Sequence, residues 1–439
     1  MKVRLVSHAS VLIETGDCII WTDPWLFGKA FNDSWSLFPP ANFDNALLDR
    51  INYIWVSHEH PDHFHIPTLR SLPAAFKDRV MVLHQVLNTE KMVTAFHKLG
   101  FPHVQTLAHR EIMQLTRKTQ VYCYHVGIMD SCLAVRYGTH TLLNANDAQL
   151  GTSDCHRIGK DIGSVDVYLA QFSIAFYTGH PEYSERLRHS ARGLVHRMYE
   201  NQIALGARVT IPFASLIYYS SVENQYINQF HNTPRTVYEY FKERKREVVV
   251  LYPGDTYKVG APYDSKCSLN QYDELYASLD HVPYDQSATV DLTQLKQAFA
   301  AFTRHLHEKN SGLVLRLLKP ITVRIPDLNQ TVVFSIHAAS FDATDEPGEP
   351  DMIVSSQPLH FAFSNSYGFQ TLGVTARYIL LHDSLNWRLH RFLFSLDNAQ
   401  IYLRLRYLLA PKTLNYFRSR SSGGFNLLTY VARRIWMNT

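Results

Sequence analysis

The segment His58-Glu59-His60-Pro61-Asp62-His63 directly follows an apolar run, residues 51–56, that is typical of a buried strand. It places three imidazoles and the Asp62 carboxylate within six positions at the end of that strand. Neutral imidazole and carboxylate are ligands that zinc, iron and manganese accept. The first two histidines suit one metal ion, and the aspartate and the last histidine turn toward a second. The segment therefore predicts a site for two metal ions.

This order of residues resembles the metal-binding motif of the metallo-β-lactamase superfamily, and the resemblance covers roughly residues 1–260. It implies an α/β fold, a four-layer αββα sandwich that holds its metals at the edge of the sheets. Two predicted strands, residues 2–13 and 18–22, fit the start of that fold. Asp23 matches a strand-end aspartate that in the superfamily usually orients the metal-binding imidazoles and does not bind metal itself.

The resemblance also implies ligands at the ends of later strands. His125 is the expected third ligand of the first ion, and Asp130 is its competitor. Asp147 is expected to bridge the two ions, and it shares with Asp62 the expected role in catalysis. Asp255 is the less favoured alternative for the bridging position because it lies far along the chain; it also fits a structural turn or a substrate contact.

The last motif of the superfamily is a histidine after a late strand, and no histidine follows the predicted strand 207–213 at the usual place. Two interpretations stay open. Either the second ion has an incomplete set of ligands, or Glu223, His231 or His180 supplies the missing one. An incomplete, oxygen-rich set leaves open positions, which suit O₂ chemistry better than a closed site does.

Four segments narrow the resemblance to the catalytic domain of CMP-N-acetylneuraminate hydroxylase and its bacterial relatives. They are residues 23–31, 34–40, 143–147 and 211–215 together with 223–224. This narrower resemblance implies a dinuclear oxygenase, with iron favoured over zinc, that hydroxylates a small-molecule, nucleotide-sugar or carrier-bound substrate. The alternative is a dinuclear zinc hydrolase, in which a metal-activated water attacks a phosphodiester, lactone or amide.

An oxygenase needs a source of electrons, and animal hydroxylases of this group carry a Rieske iron–sulfur domain. A Rieske site requires two Cys-x-His pairs, and the five cysteines of this chain do not form them. We therefore expect an external electron donor. The five cysteines, without paired spacing, also suit a reducing compartment and a cytoplasmic protein.

The composition is that of a globular protein, with 46% hydrophobic and 19% charged residues. No apolar run approaches the roughly 20 residues of a transmembrane segment, and no nucleic-acid-binding motif is present. After Asp397 the chain has no acidic residue, and its basic residues alternate with aromatic ones. This stretch fits a solvated surface, a contact for a phosphate-bearing substrate, or a membrane-surface patch.

The metal-binding catalytic domain is expected to span residues 1–260, and residues 261–439 are expected to form an α+β module. In that module the sequence predicts a helix at residues 291–307. It predicts strands at residues 312–318, 322–325, 331–338 and 370–381. A substrate-selecting role and a dimerisation role both remain open for the module.

Overall fold

A computed structural model describes residues 1–86, 89–127, 129–175, 184–344 and 348–408, together with residues 410 and 413. This part of the chain forms two compact units. The first contains residues 1–175, 184–220 and 227–283, and the second contains residues 221–226 and those from 284 onward. The first unit extends beyond the predicted end at residue 260 because a helix over residues 266–277 packs Leu269 and Tyr272 into its core.

The first unit is built from short strands and helices. Its strands are β1 Lys2–Leu5, β2 Val11–Glu14, β3 Ile19–Thr22, β4 Lys29–Ala30, β5 Trp35–Leu37, β6 Tyr53–Val56, β7 Met81–Gln85, β8 Val104–Leu107, β9 Ile112–Gln114, β10 Thr119–Val126, β11 Asp130–Tyr137, β12 His140–Asn144, β13 Val167–Gln171, β14 Val209–Phe213, β15 Ile217–Tyr219 and β16 Thr256–Lys258. Its α-helices are α1 Ile66–Ser71, α2 Ala74–Arg79, α3 Thr89–Lys98, α4 Thr152–Ile162, α5 Ser184–Leu205, α6 Pro234–Glu243 and α7 Lys266–Ala277.

Two large sheets organise these strands. One has the order β16-β1-β2-β3-β6-β7-β8 and the other the order β14-β13-β12-β11-β10-β9, while β15, β5 and β4 form a small third sheet. In the first sheet β3 and β6 run parallel, with Thr22 opposite Trp55. In the second sheet β12 and β13 run parallel, with Asn144 opposite Leu169. Side chains that directly follow parallel strands therefore collect at the same edge of each sheet.

The two sheets pack face to face and carry helices on their outer sides. Alternation along β6 shows this, because Trp55 points into the core shared with the second sheet, whereas Ile54 and Val56 point into the core shared with α1, α2 and α3. On the outer side of the second sheet, α4 contributes Ile158 and α5 contributes Met198 to the large core. The order of layers is helix, sheet, sheet, helix, and the predicted α/β four-layer fold is confirmed.

The start of the chain differs from its prediction as one long strand over residues 2–13. The structure has β1 and β2 as an antiparallel pair joined by the loop of residues 6–10. Val6 N–H donates to the Ser10 carbonyl at 2.9 Å and closes that loop. The apolar pattern continues through the turn, because Val6 and Ala9 are themselves buried, so hydrophobicity alone does not reveal the break.

The second unit has its own sheet and its own core. Its strands are β17 Ile321–Ile325, β18 Gln330–Ser335, β19 Ser340–Ala343, β20 Met352–Val354 and β21 Tyr378–Leu380, in the order β19-β18-β17-β20-β21. Its α-helices are α8 Leu292–Lys309, α9 Gly312–Leu315, α10 Ser356–Ser364, α11 Gly368–Thr375, α12 Leu385–Asn398 and α13 Leu405–Leu408. Short 3₁₀ helices span Asn45–Arg50, Gln225–Phe230, Leu279–His281 and Pro326–Leu328 across the two units.

Two strand predictions in this unit are wrong. Residues 312–315 form α9, because the Ser311 side chain caps it by accepting from the Leu313 N–H. Residues 370–375 belong to α11, and only the end of the predicted strand is extended, in β21. Among the helices that the structure describes, none is both long and apolar enough to cross a membrane. Most of the basic stretch after Asp397 lies outside the described residues.

Candidate metal centre

Histidine and carboxylate side chains converge at the sheet edge where β6, β12 and the start of β11 meet. They form three groups, and in each group one ligand atom per residue lies within 4.8 Å of the others. The groups are His58, His60 and Asp130; His58, His63 and Asp147; and His8, Asp62 and His63. Of the predicted ligands, His58, His60, Asp62, His63 and Asp147 are thus brought together.

The first group is the set of donors for one metal position. His58 Nε2 lies 2.8 Å from His60 Nδ1 and 3.9 Å from Asp130 Oδ1. With metal–nitrogen and metal–oxygen bonds of about 2.0–2.2 Å, two ligands of one ion lie about 3–3.5 Å apart. The two observed separations lie a few tenths of an ångström below and above this range, so small side-chain shifts would bring the three donors around one ion. The set contains two imidazoles and one carboxylate.

Asp147 lies between the first group and a second metal position. One of its oxygens, Oδ2, is 3.7 Å from His58 Nε2, and the other, Oδ1, is 3.5 Å from His63 Nε2. One carboxylate oxygen thus faces an imidazole of each position. A carboxylate in this place is suited to bridge two ions, and the bridging role of Asp147 stays a prediction.

The second position has Asp62 and His63 as its closest donors. Asp62 Oδ2 lies 3.3 Å from His63 Nε2 and 3.2 Å from His8 Nε2. The sequence interpretation missed His8, because it treated residues 2–13 as one strand. The sequence Ser7-His8-Ala9-Ser10 interrupts that apolar run with three polar residues, and this interruption is the signal that could have located a turn.

Asp23 contacts His63, one of the imidazoles of the three groups. The Asp23 carboxylate is fully buried, and its Oδ2 lies 2.9 Å from His63 Nδ1. It also accepts from the Ser57 N–H and hydroxyl, each at 2.8 Å. Because Nδ1–H of His63 donates to this carboxylate, the lone pair of Nε2 points toward Asp62 and Asp147, the orientation that a metal-binding histidine needs.

Unpartnered buried atoms support the fit of these residues to a metal ion. His63 Nε2, Asp62 Oδ1 and Asp147 Oδ1 are buried and have no hydrogen-bond partner among the described residues. Leaving such atoms buried without a partner is costly, since each has lost its contact with water. A cation at the second position would be a partner for all three atoms.

The ionisable groups of the site influence one another strongly. Burial lowers the pKa of His58 and of His60, which favours the neutral imidazole that metals bind. Burial opposes a charge on Asp147, but the neighbouring His63 and His58 outweigh it and lower the pKa of this carboxyl. Burial, and next the charge of Asp147, raises the pKa of Asp130 to about 7.

His125, the predicted third ligand of the first ion, belongs to none of the three groups within the described chain. Its Nε2 instead lies 3.2 Å from the Leu107 carbonyl oxygen. Strand pairing explains the difference: Asp130 is opposite Val126, so Asp130 and His125 leave the hairpin on alternate faces. Asp130, the competitor in the prediction, is the residue that the fold places beside His58 and His60.

The candidates for the missing last ligand lie in different places. Glu223 belongs to the second unit. There its Oε1 lies 3.4 Å from Arg377 Nη2 and accepts a hydrogen bond from the Ser287 hydroxyl at 3.1 Å. His231 packs edge-to-face on Tyr219 in the first unit, and burial followed by the charge of His8 lowers its pKa to about 4. His180 lies outside the described residues.

Asp255 is a turn residue in this structure. Its Oδ2 accepts hydrogen bonds from the Tyr252 N–H at 2.8 Å, the Ser268 hydroxyl at 2.7 Å and the Tyr263 hydroxyl at 3.1 Å. These bonds stabilise the turn before β16 and link it to the segment that leads from β16 into α7. Asp255 is in none of the His/carboxylate groups of the described residues.

A narrow recess of about 10 Å³, room for roughly one water molecule, adjoins the second metal position. Asp62, Asp147 and His8 line one side of it. The other lining residues are mostly apolar, namely Trp35, Ile174, Ala175, Ala214 and Ile217, with Gln171 and Ser215. The recess thus borders both the carboxylates of the second position and apolar side chains.

Comparison with known proteins identifies relatives of this region. A Mycobacterium tuberculosis (strain H37Rv) protein, named for a Rieske 2Fe-2S iron-sulfur group, is 31% identical over 190 residues, which cover 40% of this chain and 35% of that protein. The cytidine monophosphate-N-acetylneuraminic acid hydroxylase of Asterias rubens is 26% identical over 245 residues, 52% of this chain and 36% of that protein. The chain thus spans about a third of the length of these relatives.

Among solved structures, CmlA, a diiron β-hydroxylase from Streptomyces venezuelae, matches with a TM-score of 0.42 and 16% sequence identity. The match covers 59% of this chain and 54% of that one. Residues 2–154 match the family described as the Beta-lactamase superfamily domain. These residues include every side chain of the three His/carboxylate groups. Residues 2–154 are thus similar to a β-lactamase superfamily domain, and the candidate metal centre lies within that match.

Proposed function

We propose that the protein is a dinuclear iron oxygenase that hydroxylates a small-molecule substrate. One observation carries the proposal: the first metal position is formed by His58, His60 and Asp130, two imidazoles and one carboxylate. Two histidines and one carboxylate with open positions are typical of non-haem iron(II) oxygenases. The same donor set also occurs at catalytic zinc, so the identity of the bound metal decides between the two functions. The sequence similarity to a hydroxylase supports the oxygenase.

In this proposal His58, His60 and Asp130 hold one ion, Asp62 and His63 hold the second, and Asp147 bridges them. The ions, when bound, would supply the redox chemistry that activates O₂. The protein holds the donor atoms in place through contacts such as the one between Asp23 and His63. His231 remains a candidate for an additional ligand of the second ion.

The walls of the recess determine what the site can accept. The recess is lined mainly by apolar side chains beside Asp62 and Asp147, so a carbon-bearing group of the substrate is the part proposed to approach the centre there. The residues that line the recess in the described chain include no lysine or arginine. A phosphate on the substrate would therefore be bound outside these walls.

The proposal includes a separate electron donor and a cytoplasmic location. The main alternative is a dinuclear zinc hydrolase, since a carboxylate bridge such as Asp147 serves a metal-activated water equally well. The identity of the metals separates the two functions, because zinc has no redox chemistry.

The test is metal analysis of protein purified without oxygen and without added metal. We expect about two irons per chain and an optical change when the reduced protein meets O₂. Asp130→His, which creates a three-imidazole set, should increase bound zinc relative to iron, and His125→Ala should leave the metal content unchanged. Two zincs without iron in the wild type, together with hydrolysis of a phosphodiester or lactone, would exclude the oxygenase.

A further inference from the structure

His8 lies in a loop that other parts of the first unit hold firmly. The Ser7 hydroxyl donates to the Trp25 carbonyl at 2.6 Å, and the Thr22 hydroxyl donates to the Ala9 carbonyl at 3.1 Å. The carbonyl of His8 itself accepts from the Ala214 N–H at 2.7 Å, directly after β14 of the second sheet. The backbone around His8 is thus tied to both large sheets, and its ring has little freedom to move.

The imidazole of His8 is enclosed and directed at the metal centre. It is 2% exposed and packs edge-to-face on Trp25, with a ring separation of 5.7 Å, and it lies 6.5 Å from the Trp35 ring. Its Nε2 is 3.2 Å from Asp62 Oδ2. A buried polar ring held this rigidly next to a carboxylate is positioned for one specific contact.

The two ring nitrogens indicate what that contact is. In His63, Nδ1 has the Asp23 carboxylate as acceptor, so that Nε2 is left with a lone pair for metal. In His8, Nδ1 is buried and has no hydrogen-bond partner among the described residues. A metal bond at Nε2 of His8 would leave a buried N–H without an acceptor, which is costly. With the proton on Nε2, His8 instead donates toward Asp62, and Nδ1 is only an unused acceptor.

We propose that His8 is a positioning residue that holds the Asp62 carboxylate at the second metal position by donating from Nε2. This hydrogen bond would hold Asp62 Oδ2 in place. The other oxygen, Oδ1, is buried and has no partner in the described chain, and it would remain available to the ion. The inference rests on the two-metal part of the proposed function and is independent of the reaction that the metals catalyse. It gives a role to a histidine outside the His58–His63 segment.

The test is a titration of the apoprotein with Co²⁺, followed by its ligand-field absorption and by competition with a chelator. Wild type should bind two ions. His8→Leu removes the donor, and the dissociation constant of the second ion should rise about 10–100-fold, as is typical when a partner of a metal ligand is lost. His8→Gln restores an N–H donor and should bind the second ion nearly as tightly as wild type, with unchanged absorption bands.

His390→Leu is the matched control, since His390 is a fully buried histidine of the second unit, and it should bind both ions normally. Tight binding of both ions by His8→Leu would overturn the role of His8. Weak second binding by both His8 variants, with altered bands in His8→Gln, would make His8 a ligand and would also overturn the proposal. A wild type that binds fewer than two ions would overturn the two-metal function together with it.

Discussion

Asp23 determines which nitrogen of His63 is available at the candidate metal centre. The residue directly follows β3, and its backbone has a positive φ of 39°, which is uncommon for a residue with a side chain. This conformation turns the carboxylate toward Ser57 and His63, which follow the neighbouring parallel strand β6. The strained backbone of Asp23 is thus compensated by three hydrogen bonds of its carboxylate, one of which orients the His63 ring.

Asp23→Asn tests this role with almost no change in volume. The amide has no charge and presents only one acceptor oxygen, so that His63 loses the preference for a proton on Nδ1. We expect the affinity for the second metal ion to fall about 10–100-fold while the protein stays folded. Chelator competition measures the affinity, and circular dichroism checks the fold. An unchanged affinity would show that Asp23 does not orient the ligand.

The residues of the site differ in how far the sequence could predict them. His58, His60, Asp62 and His63 follow one strand within six positions, and local order is enough to place them together. The choice between His125 and Asp130 depends on which face of a hairpin each side chain leaves, and this depends on the pairing register. For His8 the polar interruption of the apolar run could have indicated a turn, but not the contact with Asp62, because that contact joins residues that are distant in the chain.

The turn after β12 connects two carboxylates of the site. Asn146 is fully buried and has a φ of 41°. Its Oδ1 accepts from the Asp147 N–H at 2.9 Å and from the Ala148 N–H at 3.2 Å, and its amide donates to the Ser131 carbonyl at 2.7 Å. Since Ser131 directly follows Asp130, this single side chain holds the turn of Asp147 against the start of β11.

Substitution of Asn146 separates the contributions of conformation and hydrogen bonding. Asn146→Ala loses three side-chain hydrogen bonds and places a Cβ in the left-handed region, so that the free energy of unfolding should fall by about 3–5 kcal/mol. Asn146→Gly loses the same hydrogen bonds without that steric cost and should be about 1 kcal/mol more stable than the alanine variant. Denaturant unfolding measures both. Equal stabilities would remove the conformational part of the explanation.

At the level of helices and strands, the sequence predicts best where the polarity pattern changes clearly. The helix expected at residues 291–307 is α8, since its apolar spacing is regular and Asp291 caps its start. The break between β1 and β2 escaped prediction because buried residues continue through the loop. The strand expected at residues 312–318 is helical at its start because a single capping serine outweighs the apolar run.

The two compact units have separate hydrophobic cores. The core of the second unit is rich in phenylalanine, and Phe299 is 1% exposed with ring neighbours Phe334, Phe341 and Phe363 at 5.1–5.4 Å. The His/carboxylate groups lie entirely within the first unit. Stability and metal binding are therefore expected to be separable by substitution.

Phe299→Ala tests that separation. Removing a buried phenylalanine ring should lower the free energy of unfolding of the second unit by about 3–5 kcal/mol. Calorimetry should show an unfolding transition at a lower temperature than in wild type. The number of bound metal ions should stay at the wild-type value. Loss of metal together with the loss of stability would indicate that the centre depends on the second unit.

The folding stability of the second unit should also decrease at acidic pH because of His390. The side chain is fully buried on α12, and burial lowers the pKa of His390 from 6.5 to about 4. Between these values the unfolded chain binds a proton that the folded protein excludes, so that stability is present above pH 6.5 and is lost as the pH falls toward 4. Between pH 7 and pH 5 the protonation of His390 in the unfolded chain should lower the free energy of unfolding by roughly 2 kcal/mol.

His390→Phe keeps an aromatic ring beside Phe334 and Phe394 and removes the titrating group. The stability of the variant should depend less on pH between 7 and 5 than that of wild type, by the same roughly 2 kcal/mol. Unfolding curves at a series of pH values measure the difference. Parallel pH profiles for the two proteins would show that His390 does not titrate in this window.

The candidate metal centre draws on His8, on the segment from His58 to His63, and on Asp130 and Asp147. A ribosome makes these residues in that order, so a growing chain presents first one isolated histidine, then a cluster of imidazoles with a single carboxylate. The carboxylates that complete the set follow only when the second sheet has begun to form. A metal ion captured earlier would meet an incomplete, nitrogen-rich set, which copper and zinc occupy readily. If the centre holds iron as proposed, the metal is therefore expected to enter after the two sheets have closed.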